Sequence, residues 1–195
     1  MQLLVRVGVT LTTASLLLSA GARVHTHEVD CDSASQVELL QCAEQDYLEA
    51  DFELNRTYRF TLGAISDSHR GDLRSVQRKW IRFRDNACDP LGDVEKYGRE
   101  GPIERLACKS SLTKDRTDEI VLTVEAGSHE YYFKVINSLA RAGFSPTDVK
   151  ERLASASSED KLWWVYVDGN CALVASVSFE APDDCKARMN LVRSY

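Results

Sequence analysis

The chain has no glycine-rich phosphate loop, which leaves nucleotide chemistry without its usual backbone cradle. No Ser or Cys nucleophile stands with a placed histidine. The four histidines are His25, His27, His69 and His129, and the first two lie near the amino end. Acid pairs abound, but 30 acidic residues make that unremarkable. No enzyme is therefore expected. No Cys-x-x-Cys occurs and no cysteine stands near a histidine in zinc-like spacing, so no metal or cofactor is expected of the body of the chain. Positive charge is not in excess: 24 basic residues face 30 acidic ones, a net charge of −6. That argues against a nucleic-acid module. It permits a salt-sensitive attraction to a basic protein. After the first 22 residues no further long apolar run appears, so no membrane span is expected there.

The amino end carries a different signal. Arg6 is the one charge before Arg23, an uncharged stretch runs from Val7 to Ala20, and Ala20-Gly21-Ala22 closes it with small residues. This is the layout of a cleavable signal peptide over residues 1–22. Its removal would leave 23 basic and 30 acidic residues, a net charge of −7. Cys31 lies nine residues beyond Ala22, too far to be a lipidated residue at the cut. An exported product, periplasmic or secreted, should carry its six cysteines as disulfides. The new amino terminus would read Arg23-Val24-His25, with His27 close by. A free amine, two amides and a third-position imidazole form a set suited to Cu(II) or Ni(II); a plain tail is the simpler reading.

The cysteines are Cys31, Cys42, Cys88, Cys108, Cys171 and Cys185. An internal repeat narrows their pairing. Trp80, Phe83, Asp85 and Cys88 share their spacing with Trp163, Tyr166, Asp168 and Cys171. Cys108, Lys109, Leu112 and Arg116 share theirs with Cys185, Lys186, Met189 and Arg193. Asn55 stands 25 residues before its Trp, and Asn137 stands 26 before the other. The second copy has no counterpart of Cys31 or Cys42. If it is self-contained, Cys171 pairs with Cys185. By analogy Cys88 pairs with Cys108, leaving Cys31 with Cys42. A crossed pattern between Cys31 or Cys42 and Cys88 or Cys108 stays open.

Periodicity and punctuation predict helices. Ser35-x-x-Glu38 reads as a capping box. An apolar face through Leu40, Ala43, Tyr47, Leu54 and Tyr58 follows, ending near Gly63. A second helix is expected over 72–87, a loop up to Gly101, and a third helix from Pro102. Residues 132–141 read as a helix with Gly143 just past its end. Ser145-Pro146 opens another, with Phe144 placed to staple onto Val149. Pro182-Asp183-Asp184 opens the last. Residues 162–179 are contested. Local propensity and Asp168-Gly169 suggest a β-hairpin, whereas the repeat says helix, which we favour. The expected fold is an all-α, disulfide-stapled small bundle of two related modules, 28–124 and 128–195. Asn55-Arg56-Thr57 fits a glycosylation pattern but falls within a helix, and we do not read it as a modification site. Asp85 with Arg116, and Asp168 with Arg193, read as salt bridges tying the end of one helix to another. Arg84 and Gln77 become Val167 and Asp160, so they are special to the first copy.

Residues 31–120 resemble the LprI-like lysozyme-inhibitor family of bacterial envelope proteins. The resemblance rests on Ser35-Gln36-x-Glu38, Cys42-Ala43, Tyr47, Ala50-Asp51, Leu54-Asn55-x-x-Tyr58 and Leu73. It continues through Gln77-Arg78-x-Trp80-Ile81-x-Phe83-Arg84-Asp85-x-x-Cys88 and Cys108-x-x-x-Leu112-Thr113-x-x-Arg116. The second copy is similar only through Trp163, Tyr166, Asp168, Cys171, Cys185 and Arg193. The resemblance implies an all-helical envelope module. For the family's named member it implies binding of lysozyme, a cationic protein partner. The motif residues Asn55, Tyr58, Gln77, Trp80, Arg84, Asp85, Thr113 and Arg116 are expected to be structural, and the binding surface is left unassigned. The alternative function is a non-catalytic periplasmic interaction module with another protein partner.

Overall fold

A computed structural model describes residues 31–32, 35–124, 130–156 and 160–193. Eight α-helices occur among them: α1 (Gln36–Ala64), α2 (Asp67–Cys88), α3 (Val94–Tyr97), α4 (Gly101–Val124), α5 (Glu130–Arg141), α6 (Pro146–Ser155), α7 (Lys161–Val177) and α8 (Pro182–Arg193). No strand occurs among the described residues. The signal segment 1–22 and the Arg23, His25 and His27 group lie outside them.

Helix α1 extends for about 43 Å at 1.5 Å per residue and lies along α4. Small or hydroxylic side chains line this seam: Ala50, Thr61, Ser110, Thr113 and Thr123 are buried. They let the two backbones approach closely. Ser110 Oγ donates to the Asp46 carbonyl across the seam at 3.4 Å. Ser35 takes the N-cap position of α1, but its side chain does not close the predicted capping box.

The main core forms where α2 meets α7. Leu54, Leu73, Val76, Trp80, Phe83 and Ile120 pack with Trp163, Tyr166, Val167, Leu173 and Met189. Phe83 stacks on Tyr166 with ring centroids 6.1 Å apart, and packs against Trp163 at 5.0 Å. A satellite core joins Tyr132 and Ile136 of α5 to Ala187 and Leu191 of α8, with Val149 and Leu153 of α6 against it.

Residues 162–177 are helical, so the hairpin alternative is excluded. Two causes override the β-branched and aromatic composition. Asp160 Oδ1 accepts hydrogen bonds from the Leu162 and Trp163 amides at 2.9 and 3.3 Å, an N-cap. The segment is also enclosed on several sides, by α2, α4 and α8. An all-round apolar helix suits such a position. The expected loop before Gly101 instead holds two 3-10 turns and α3, whose Asp93 side chain caps Glu95 and Lys96. Gly101 is required there, because a Cβ would meet the Leu91 carbonyl oxygen at 2.7 Å. Ser145 caps α6 by accepting from the Asp148 amide at 3.3 Å, and Gly143 turns at φ 92° after α5. The disulfides are Cys31–Cys42, Cys88–Cys108 and Cys171–Cys185, not a crossed set.

Candidate functional site

Two features compete for a functional role: a cleft built on the Trp and Arg motif residues, and the outer face of α1.

The cleft has a volume of about 740 Å³. Its floor is Trp80, Phe83, Trp163 and Tyr166, and its walls come from α4, α5 and α8. Beneath it runs a chain of buried polar groups. Arg116, only 1% exposed, donates from Nε to Gln77 Oε1 at 3.0 Å. Its Nη1 donates to the Tyr166 hydroxyl at 3.2 Å and to Asn170 Oδ1 at 2.7 Å. Asn170 Nδ2 passes the chain to Glu119 Oε2 at 3.3 Å. Arg188, 3% exposed, then pairs with Glu119 Oε1 through Nη1. It forks onto both Glu180 oxygens at 3.1 and 3.0 Å. Burial alone would lower the Arg188 pKa, but Glu119 and Glu180 outweigh it and raise it. Burial pushes the Tyr166 hydroxyl up to about 12. The network is well suited to fixing four helices, α2, α4, α7 and α8.

The motif residues fall into this framework. Asp85 does not pair with Arg116, as the sequence suggested; it accepts from Arg84 at 2.8 Å and meets Lys109 at 3.5 Å. Asp168 likewise meets Lys186 at 2.8 Å rather than Arg193. The physical reason is position. Each Lys directly follows a disulfide cysteine whose partner lies three residues beyond the Asp, near the end of α2 and in the middle of α7, whereas each Arg sits two turns further on. The Arg193 guanidinium lies over Phe83 at 5.5 Å and Trp163 at 4.8 Å, and reaches Asp160 at 3.3 Å. Arg84 is held between Trp80 at 4.8 Å and Tyr47 at 5.9 Å. Trp163 donates to Asn190 Oδ1 at 2.9 Å. Asn55 bonds Asp51 within α1. Tyr58 packs half-buried on the core, and Thr113 is fully buried in the α1–α4 seam. Sequence reasoning missed Glu119, Asn170, Glu180 and Arg188. One signal was available: Arg188 lies between Cys185 and Met189 on a face that must be buried, and a charge there needs a partner.

Two carboxylates sit on the cleft rim. Asp115 is raised above the usual carboxylate range by burial of its surroundings, then by Asp118 and Glu119. Asp118 is raised by burial and by Glu119. The folded state thus holds protons more tightly than the unfolded chain, and stability falls as pH rises through the window just above 3.8. Asp115→Asn should remove part of that loss. Both side chains reach solvent, so the gain at pH 7 should stay under about 1 kcal/mol. Thermal melts from pH 3.5 to 7 will show it as a shallower fall; an unchanged slope would reject it.

The second feature is the solvent face of α1. Val37, Leu40, Leu48, Phe52 and Phe60 are exposed along it. From Gln36 to Asn55 the helix carries six acids and no Lys or Arg.

These observations define the class: an all-α, disulfide-stapled helical bundle with no metal-ligating cluster among the described residues. A family model described as lysozyme inhibitor LprI matches residues 30–120. An uncharacterized protein of Rhizobium meliloti (strain 1021) is 37% identical over 131 residues, covering 59% of this chain and 94% of the relative. No solved structure matches. The chain belongs to the lysozyme inhibitor LprI family. None of its described helices is long and apolar enough to cross a membrane.

Proposed function

We propose that this chain is an exported, non-catalytic inhibitor that binds lysozyme or a similar cationic peptidoglycan hydrolase. The observation that carries the reading is family membership through residues 30–120. Net acidity agrees with a basic target. Three disulfides agree with a periplasmic or secreted location. The test is lysozyme activity on cell walls with the oxidised mature protein added. Inhibition is expected at concentrations on the order of 1 µM or below, and it should weaken as salt is raised. Absence of inhibition at concentrations ten times higher would reject the reading.

A second reading is an envelope interaction module for a different protein partner. It is favoured by one fact: residues 130–193, which complete the cleft, lie beyond the matched region. Salt-indifferent capture of an envelope protein, with no effect on lysozyme, would select it.

The same segment is proposed to be a second, diverged copy of the first module. Parallel contacts support this. Cys88–Cys108 with Asp85–Lys109 corresponds to Cys171–Cys185 with Asp168–Lys186. Arg116 binds Gln77 and lies over the Tyr166 ring at 5.3 Å, while Arg193 binds Asp160 and lies over the Phe83 ring at 5.5 Å. Each arginine pairs with the residue three positions before the Trp of its own half and lies over an aromatic of the other half; Arg116 also bonds Tyr166 and Asn170, and Arg193 also lies over Trp163.

A further inference from the structure

The solvent face of α1 carries large apolar side chains. Placing residues at 100° intervals around the helix axis puts Phe52 at the centre of the outward arc. Leu48 and Val37 fall within about 60° of it on one side. The buried positions Ala50, Leu54 and Thr61 lie opposite. Phe52 is 60% exposed, Leu48 59% and Val37 67%. Val37 and Phe52 are about 22 Å apart along the axis at 1.5 Å per residue. Isolated exposed apolar side chains are ordinary, but Leu48 and Phe52 lie one turn apart on one rigid helix, with Gln41 and Gln45 between them and Val37, and such a paired apolar centre is the pattern of a contact surface. Acids flank this ridge on both sides: Glu38 and Glu49 on one, Glu44 and Asp51 on the other. No basic residue interrupts it before Arg56. Arg56 is itself paired with Glu53 at 2.6 Å.

The ridge is also rigid. The helix is tied along its length to α4, and the Cys31–Cys42 disulfide holds the preceding segment to its first turns. A convex, pre-ordered ridge loses little side-chain or backbone freedom on binding. The cleft beside α4 is less suited to a large partner, because Arg193 already lies over the Phe83 and Trp163 part of its floor.

We propose that the outer face of α1, centred on Leu48 and Phe52 and framed by Glu38, Glu44, Glu49 and Asp51, is the surface that docks a cationic protein partner with an apolar cleft. The proposal rests on the inhibitor reading and names lysozyme as that partner. The acids supply long-range attraction and orientation, and the apolar ridge supplies the desolvated centre of the contact.

The experiment is calorimetric titration of lysozyme with the oxidised mature protein and two surface variants. One is Leu48→Ser with Phe52→Ser; the other is Glu44→Gln with Glu49→Gln. All four side chains are solvent-facing or rim positions, so circular-dichroism melts should match the wild type. The apolar pair should weaken binding about tenfold or more. The acid pair should weaken it several-fold and reduce its dependence on salt. If wild type binds and both variants bind equally well, the surface is elsewhere and the inhibitor reading stands. If wild type does not bind lysozyme, the inhibitor reading falls and this proposal falls with it. Self-association of the wild type that Leu48→Ser with Phe52→Ser abolishes, without change in lysozyme affinity, would assign the face to a second copy and overturn the proposal.

Discussion

Arg188→Met should destabilise the fold by about 3–5 kcal/mol, measured by chemical denaturation at pH 7. The wild-type guanidinium is 3% exposed and sits between Glu119 and Glu180. Methionine fills much of the same volume, so packing changes little. What remains is two carboxylates facing each other in a desolvated pocket with no cation between them. They can respond by taking up a proton, so the variant should lose less stability near pH 5 than at pH 7. The sign follows from linkage: a carboxylate whose folded pKa is raised binds protons more tightly when folded, and stability then rises as pH falls through that pKa. Adding Glu119→Gln and Glu180→Leu to Arg188→Met should recover most of the loss, because replacing a whole buried ion cluster is far less costly than breaking one. If the single variant is near-neutral at pH 7, the cluster is not the structural tie described here.

The second large effect concerns the Cys171–Cys185 disulfide. Its sulfurs lie in the main core, with Cys171 1% and Cys185 0% exposed. The Met189 sulfur packs on both at 3.7 and 3.9 Å. Closing a loop between residues 14 apart in sequence constrains the unfolded chain by about 3 kcal/mol in the chain-entropy view. Cys171→Ala with Cys185→Ala should therefore cost about 3–5 kcal/mol, the upper part coming from lost packing beside Met189. Cys31→Ala with Cys42→Ala should cost less. That bridge closes a loop of similar size, with a separation of 11, but Cys31 is exposed at the edge of the bundle. A reversed order, with the amino-terminal bridge costing more, would show that the core does not depend on the α7–α8 staple.

Several parts of the fold were legible before any coordinates. Pro146 after Ser145, Gly143 and Pro182 act through local sterics and capping, and those signals need only neighbouring residues to be read. The spacing of Trp80, Cys88 and Cys108 against Trp163, Cys171 and Cys185 led to the disulfide set that the structure contains. Leu73, Val76, Trp80 and Phe83 recur at helical spacing in the segment 72–87 and form one buried face of α2, as such a period implies. Residues 162–177 were ambiguous because an all-round apolar segment has no period to read, and its burial depends on three other helices.

The site was less legible. Asp85 and Arg116 recur together in sequence, yet each found a different partner. Spacing along a chain does not say which helix face will stand opposite a long side chain. Arg84, singled out as special, proved to be a cation held between the Tyr47 and Trp80 rings. The ridge on α1 was partly visible as apolar residues in a helical segment, but sequence periodicity alone assigned Leu40 to the buried face, whereas it is exposed in the folded chain.

The sequence by itself determined the helical class, most helix ends and the acid excess, and narrowed the cysteine pairing to an uncrossed or a crossed pattern, because each follows from local propensity, composition or spacing; the structure holds the uncrossed one. Tertiary structure alone decided the Arg116–Asn170–Glu119–Arg188–Glu180 chain and which face of α1 remains in solvent. Both depend on how helices distant in sequence are laid against one another, and a buried charge or an exposed ridge is defined only by what the rest of the chain brings to it.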